Sequence, residues 1–159
     1  MTLLNAPEFD ARKETRNRNI MIGSVAVILL AGLFAFAGFV LGHGWFFMNL
    51  PAEHKVSTFL STLQAGDYAK AYGIWTHDPD WQQHPDKYKD YPLNRFTEDF
   101  TTASDWKGPI TNFHVNFSKR DPTGVVVAST VNGSNLTLKV QKADGTIDFF
   151  PYELTRGIF

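Results

Sequence analysis

Apolar positions along this chain follow three successive rhythms. The first is unbroken: "IMIGSVAVILLAGLFAFAGFVL", Ile20 to Leu41, runs 22 residues without a charge. Wound as a helix it spans about 33 Å at roughly 1.5 Å per residue, enough for a hydrocarbon core of about 30 Å. Backbone polar groups in lipid need partners within the segment, so a single transmembrane helix is expected. The second rhythm has helical spacing. Val56, Phe59, Leu60 and Leu63 recur at three and four residues, and Gly66-Asp67 then interrupts the run. Asp67 is expected to cap a second helical piece carrying Tyr68, Ala71, Tyr72 and Trp75 on its apolar face. Further on, Asn94 is expected to cap a helix that sets Phe96 and Phe100 on one side.

From Gly108 the period falls to two. Phe113, Val115 and Phe117 alternate with Asn112, His114 and Asn116, and Leu136, Leu138 and Val140 alternate with Thr137 and Lys139. Turn chemistry separates the runs at Asp121-Pro122-Thr123-Gly124, Asn132-Gly133 and Asp144-Gly145. The prediction is an antiparallel meander of four strands, with Pro151 confining the last to an edge or a bulge. Helices first and a continuous antiparallel sheet afterwards give an α+β fold in which the helices cover the dry face.

Two stretches carry a family resemblance. "FLSTLQAGDYAKAYGIW" resembles the first-helix pattern of the NTF2-like superfamily, the cystatin-like α+β cone, in which an apolar helix leads to a Gly-Asp-Tyr-x-x-Ala-Tyr turn. "RFTEDFTTASDWKGPITNFHV" is similar to that family's later helix and its step into the sheet. The resemblance covers residues 52–159. It implies helices packed on a curved sheet, forming a cone whose mouth can hold a ligand or, in the enzymes, an Asp paired with His or Tyr. The expected inward positions here are Phe113, Val115, Phe117, Val125, Val127, Leu136, Leu138 and Val140, with no acid or imidazole among them. His114 alternates to the other face, so no catalytic residue is assigned. Many members have a longer final strand, so the back of the cone is expected here to be open or completed by a partner. A second resemblance, to single-pass respiratory assembly factors of the Coa1 type, rests on Gly108-Pro109-Ile110 and on the order of anchor and α+β domain.

Charge gives the helix a direction. Arg12, Lys13, Arg16 and Arg18 precede it, while His43 and the more distant Lys55 follow. The positive-inside rule then puts the N-terminus in the cytoplasm and the C-terminal domain outside, in the periplasm or its equivalent. "GHGWFFMNLP" offers no Ala-x-Ala cleavage site, which favours an anchor over a cleaved signal. The expected division is a tail over 1–19, a transmembrane helix over 20–42, an interfacial linker over 43–51 and an outer domain over 52–159. Ala31, Ala35, Gly38 and Gly42 form a small-residue face suited to close helix packing, and Trp45, Phe46, Phe47 and Trp81 are candidate interface anchors.

Composition narrows the chemistry. There is no cysteine, which removes thiol catalysis, disulfides and thiolate metal sites, and the net charge of -1 gives no pull toward nucleic acid. "WTHDPDWQQHPDKYKDY" holds the only metal-like cluster: His77, Asp80, His84 and Asp86 would be its ligands. Zinc wants four ligands rich in nitrogen or sulfur and calcium a tightly wound oxygen loop, so a proline-punctuated connection is the favoured reading. No cofactor is expected. Tyr72, Trp75, Phe96, Phe100 and Trp106 would line a pocket if the cone is hollow and form its core if it is filled. The function expected is a non-catalytic accessory or assembly subunit. It would sit in the lipid bilayer and dock on a larger membrane protein complex or a second copy of itself. The alternative is a membrane-tethered sensor for a small apolar ligand.

Overall fold

A computed structural model describes residues 11–152 and 154, so part of the expected tail and most of the stretch after Tyr152 lie outside the described residues. The apolar run forms α1 (Ala11–Leu41), which begins well before Ile20 and takes in Arg12, Lys13, Arg16 and Arg18. It is the one described helix long and apolar enough to cross a membrane. Only Ala35 and Gly38 on it are buried, whereas Val27, Ile28, Leu30 and Leu33 stand two-thirds exposed.

The body follows within a few residues as α2 (Leu50–Gln64), α3 (Tyr68–Trp75) and α4 (Leu93–Asp99), with short 3-10 turns at Trp45–Phe47, Trp81–Gln83 and Pro85–Tyr88. Pro51 falls in the first turn of α2, where a missing N–H costs nothing. Asp67 accepts from Lys70 N at 3.0 Å and caps α3 as expected. Asn94 does not cap α4. The extended residue before that helix is Pro92, and Leu93 already starts the first turn.

β1 (Phe113–Asp121), β2 (Gly124–Val131), β3 (Ser134–Gln141) and β4 (Ile147–Phe149) form one antiparallel sheet in the order β1-β2-β3-β4. The fold is therefore α+β. The β2–β3 hairpin turns on Asn132 and Gly133, both at positive φ (48° and 89°), as a primed two-residue turn requires. The Asn132 side chain also ties the approach to the sheet, accepting from Thr111 N and Asn112 N and donating to Pro109 O. Beneath the helices Val56, Phe59, Leu60, Tyr72, Phe96, Val127, Val131, Leu138 and Ile147 are all but inaccessible. Each large side chain of this kind contributes about 1.5–3 kcal/mol by leaving water.

One strand departs from simple alternation. The β1–β2 register slips between Val115 and Phe117, where Asn116 is the extra residue of a bulge. Beyond it every side chain changes face. Phe117 pairs with Ala128 on the outer side of the sheet instead of pointing to the core, and Ser118, opposite the core residue Val127, takes the inward place.

Candidate functional site

The displaced Ser118 opens onto a buried polar site that joins the apolar helix to the body. Its hydroxyl, buried with the residue, donates to Glu53 Oε1 at 2.5 Å. The other carboxylate oxygen, Glu53 Oε2, lies 2.8 Å from His43 Nδ1. A carboxylate only accepts, so Nδ1 of His43 carries the proton in this contact. Ser118 N donates to Gly42 O at 2.8 Å, which fills a backbone position on the edge strand β1 with the last turn of the apolar helix. Asn49, itself buried, receives the start of α2 through Ala52 N and Glu53 N on its carbonyl and gives its own N–H to His43 O. Glu53, 6% exposed, would be costly as a bare charge; two side-chain donors compensate it. The order of contact is hydroxyl, carboxylate, imidazole. His43 does not reach Ser118, and the arrangement is that of a tie between helix and body.

Steric fit closes the same junction. The chain reverses at Gly42 and Gly44, at φ 86° and 77°, and runs back along α1 with Phe46 and Phe47 both left-handed (52° and 55°). Such backbone costs of order 1–3 kcal/mol per residue and persists only where surroundings enforce it. Here Phe47 packs on Phe34 at 4.9 Å between centroids, and Trp45 stacks on Phe39 at 5.0 Å. A Cβ on Gly38 would lie 2.5 Å from Gly44 O and 2.8 Å from Phe47 N; one on Gly42 would lie 2.8 Å from the Phe117 Cβ. The small-residue face is thus largely used within the chain. Ala35 and Gly38 are buried, Gly42 abuts the sheet, and Ala31 alone of the four stays exposed.

The anchor candidates divide accordingly. Trp45 and Phe46 are each 53% exposed, joined by Met48 at 53% and Leu50 at 46%. Phe47 is turned inward. Trp81 belongs to the body: its ring meets Tyr72 edge-on at 4.8 Å and its Nε1 donates to Ala69 O at 3.1 Å.

The histidine and aspartate stretch is organised around a residue outside the candidate ligand set. Asp78 accepts from Tyr88 OH at 2.7 Å, from His84 Nδ1 at 3.0 Å and from Asp80 N at 3.1 Å. The Tyr88 hydroxyl, ahead of the His84 contact, holds its carboxyl below the ordinary carboxylate range. His77 points elsewhere, accepting from Lys55 and lying against Gly145, while Asp80 and Asp86 are exposed. His77, Asp80, His84 and Asp86 therefore do not converge, and no group of three or more metal-type side chains forms among the described residues.

Where the resemblance expects a cone, five aromatic rings pack together, and Tyr72 and Trp75 also border an open cleft of about 370 Å³ with Tyr88, Tyr91 and Ile147. Phe59, Tyr72, Trp75, Phe96 and Phe100 are buried and meet one another at centroid distances of 4.9 to 6.1 Å. Four of the five pocket candidates are core. Trp106 stands at the margin of that cluster, beside an open cleft of about 540 Å³ near Phe149 and Tyr152, and its buried Nε1 has no acceptor among the described residues. Burial raises the Tyr72 phenol, and burial with the Asp99 hydrogen bond raises that of Tyr91. Both serve as donors, to Tyr91 O and to Asp99 Oδ2 at 2.7 Å respectively.

Glu53 and Ser118 were not singled out by sequence. Glu53 reads as an ordinary acid in the first turn of a helix, and Ser118 becomes inward only through the bulge. The faint signals were Glu53 beside the apolar Ala52 and Val56, and a Ser where alternation places a surface residue. Comparison with known proteins adds no relative: no family model, no curated protein and no solved structure matches this chain.

Proposed function

We propose that the chain is a non-catalytic, single-pass membrane accessory or assembly subunit that docks on a larger membrane protein complex through its helix and its α+β body together. Its N-terminus would lie in the cytoplasm and its body outside, as the basic residues ahead of α1 favour. The observation that carries this reading is the tie at Gly42, His43, Glu53 and Ser118, which leaves no free linker between helix and body. A junction without a free linker suits a subunit that must seat helix and body on one partner together. The exposed hook of Trp45, Phe46, Met48 and Leu50, continuous with the apolar surface of α1, supports contact with lipid or a partner helix at that level. The mutual packing of Phe59, Tyr72, Trp75, Phe96 and Phe100 favours this reading over the ligand-sensor alternative, for which the clefts among the described residues lie open at the surface. The NTF2-like resemblance agrees with the α+β order of elements and contributes no more than that.

Gentle extraction in a mild detergent, followed by native mass measurement, tests the proposal. The expected result is an assembly containing a second integral membrane protein, lost when Ala31→Phe and Trp45→Ala are combined. A lone monomer at every salt concentration contradicts it, and a dimer of this chain alone would assign the surface to self-association.

A further inference from the structure

Away from the tie, the helical layer carries an open groove of about 400 Å³ between α2, α3 and the turn after α3. Ala69, Ile74 and Pro79 give it apolar walls, and Lys55, Lys70 and His77 stand around them. Lys55 is the unusual member. It is half-buried, and its ammonium donates only to neutral groups, the carbonyl of Gly145 and Nδ1 of His77. No carboxylate of the described residues is in ion-pair contact with it. Burial lowers its pKa, and the more distant Asp144 opposes that only in part. An ammonium drawn partly out of water without a counter-charge is poorly compensated, and an arriving anion would relieve it.

The neighbours hold that ammonium at the groove. His77 sits in the left-handed region at φ 53°, where a helix more often ends on glycine, and Asp78 N closes the end of α3 onto Gly73 O. Its ring is wedged against the β3–β4 turn so tightly that a Cβ on Gly145 would lie 2.6 Å from Nδ1. Because Lys55 donates to Nδ1, the proton of a neutral His77 is on Nε2. Lys70, exposed and also lining the groove, adds a second positive charge with no ion-pair partner among the described residues.

We infer that this groove binds an alkyl carboxylate, with the headgroup on Lys55 and Lys70 and the chain lying along Ala69, Ile74 and Pro79. Charge complementarity selects an anion, and the apolar walls select one with a hydrocarbon tail. The site is independent of the docking surface proposed above and stands or falls separately.

Octanoate titrated into the full chain in zwitterionic nanodiscs tests it, followed through the methyl resonances of Ala69 and Ile74 and corrected for partition into empty discs. Saturable shifts are expected with octanoate and not with octanol or octylamine. Lys55→Met should weaken binding at least about tenfold and Lys70→Gln a few-fold, the scale of lost charge-assisted contacts. If Lys55→Met fails to fold, Lys70→Glu at its exposed position takes its place and should weaken octanoate by about as much. Octanoate behaving like octanol, unchanged affinity in the charge variants, or saturation by octyl phosphate alone would each overturn the assignment.

Discussion

Two regions of this protein are rich in the same side chains and use them in opposite ways. The connection from Thr76 to Tyr91 concentrates histidine and aspartate in one stretch, yet its hub Asp78 organises an exposed loop. The tie at the end of α1 gathers one histidine, one glutamate and one serine from distant parts of the chain, and two of the three are buried. Density along the sequence therefore says little about which polar group matters. The two carboxylates are similarly sheltered, with side-chain exposures of 13% for Asp78 and 7% for Glu53. But His84 and Lys87 beside Asp78 are more than half exposed, while Glu53 is held by a buried serine and a partly buried histidine, and the cost of removing a partner follows burial.

The comparison is broken most sharply at its buried end. Glu53→Ala should destabilise the body by about 3 kcal/mol, because His43 and Ser118 lose their common acceptor in a dry site. Denaturant unfolding followed by tryptophan fluorescence measures it, and Glu53→Gln, which keeps one acceptor oxygen, should fall between. Next comes Gly42→Ala, expected to cost about 2 kcal/mol, since it adds a Cβ at positive φ against Phe117. Its distinguishing sign is new protease cleavage between residues 42 and 49. In the loop, Asp78→Asn should lower the melting temperature much less than Glu53→Ala and leave that cleavage pattern unchanged. A loss equal to that of Glu53→Ala would erase the distinction between the regions.

The smallest effect sharpens the same contrast through pH. Asp121, at the β1–β2 turn, is lowered from 3.8 to about 2, first by Lys139 and then by the N–H and hydroxyl of Thr123 and the N–H of Gly124. A depressed carboxylate stabilises the fold above its ordinary pKa and loses that contribution as pH falls through its folded value. Stability should thus decline between about pH 4 and pH 2. Asp121→Asn should be less stable than the parent at neutral pH and flatten this part of the decline.

Much of the framework was legible because local chemistry and tertiary structure agree. The charge-free run of α1, the Asp67 cap and the turns at Asn132-Gly133 and Asp144-Gly145 each follow from residues adjacent in sequence. The junction was not legible. A bulge at Asn116 shifts Phe117 and Ser118 by one place, and alternation carries no mark of it. Two left-handed phenylalanines have no sequence signature, since aromatic residues seldom adopt that backbone. Gly38 and Gly42 were expected to admit the close approach of another helix. What the helix spacing omitted is that the approaching atoms belong to the same chain, at Gly44, Phe47 and Phe117. Phe96, Phe100 and Trp75 were visible as a cluster, while filled core and open pocket share one aromatic composition.

The central claim is that the apolar helix and the α+β body move as one unit. The chain has no cysteine, so spin labels can be placed cleanly at Val27→Cys on α1 and Lys142→Cys on the body, both exposed. Pulsed electron-electron resonance in nanodiscs then reads the distance between them. One narrow distribution, no broader than the labels' own rotamers allow and broadened by Glu53→Ala, is the predicted result. A wide or multimodal distribution in the unsubstituted background would contradict it.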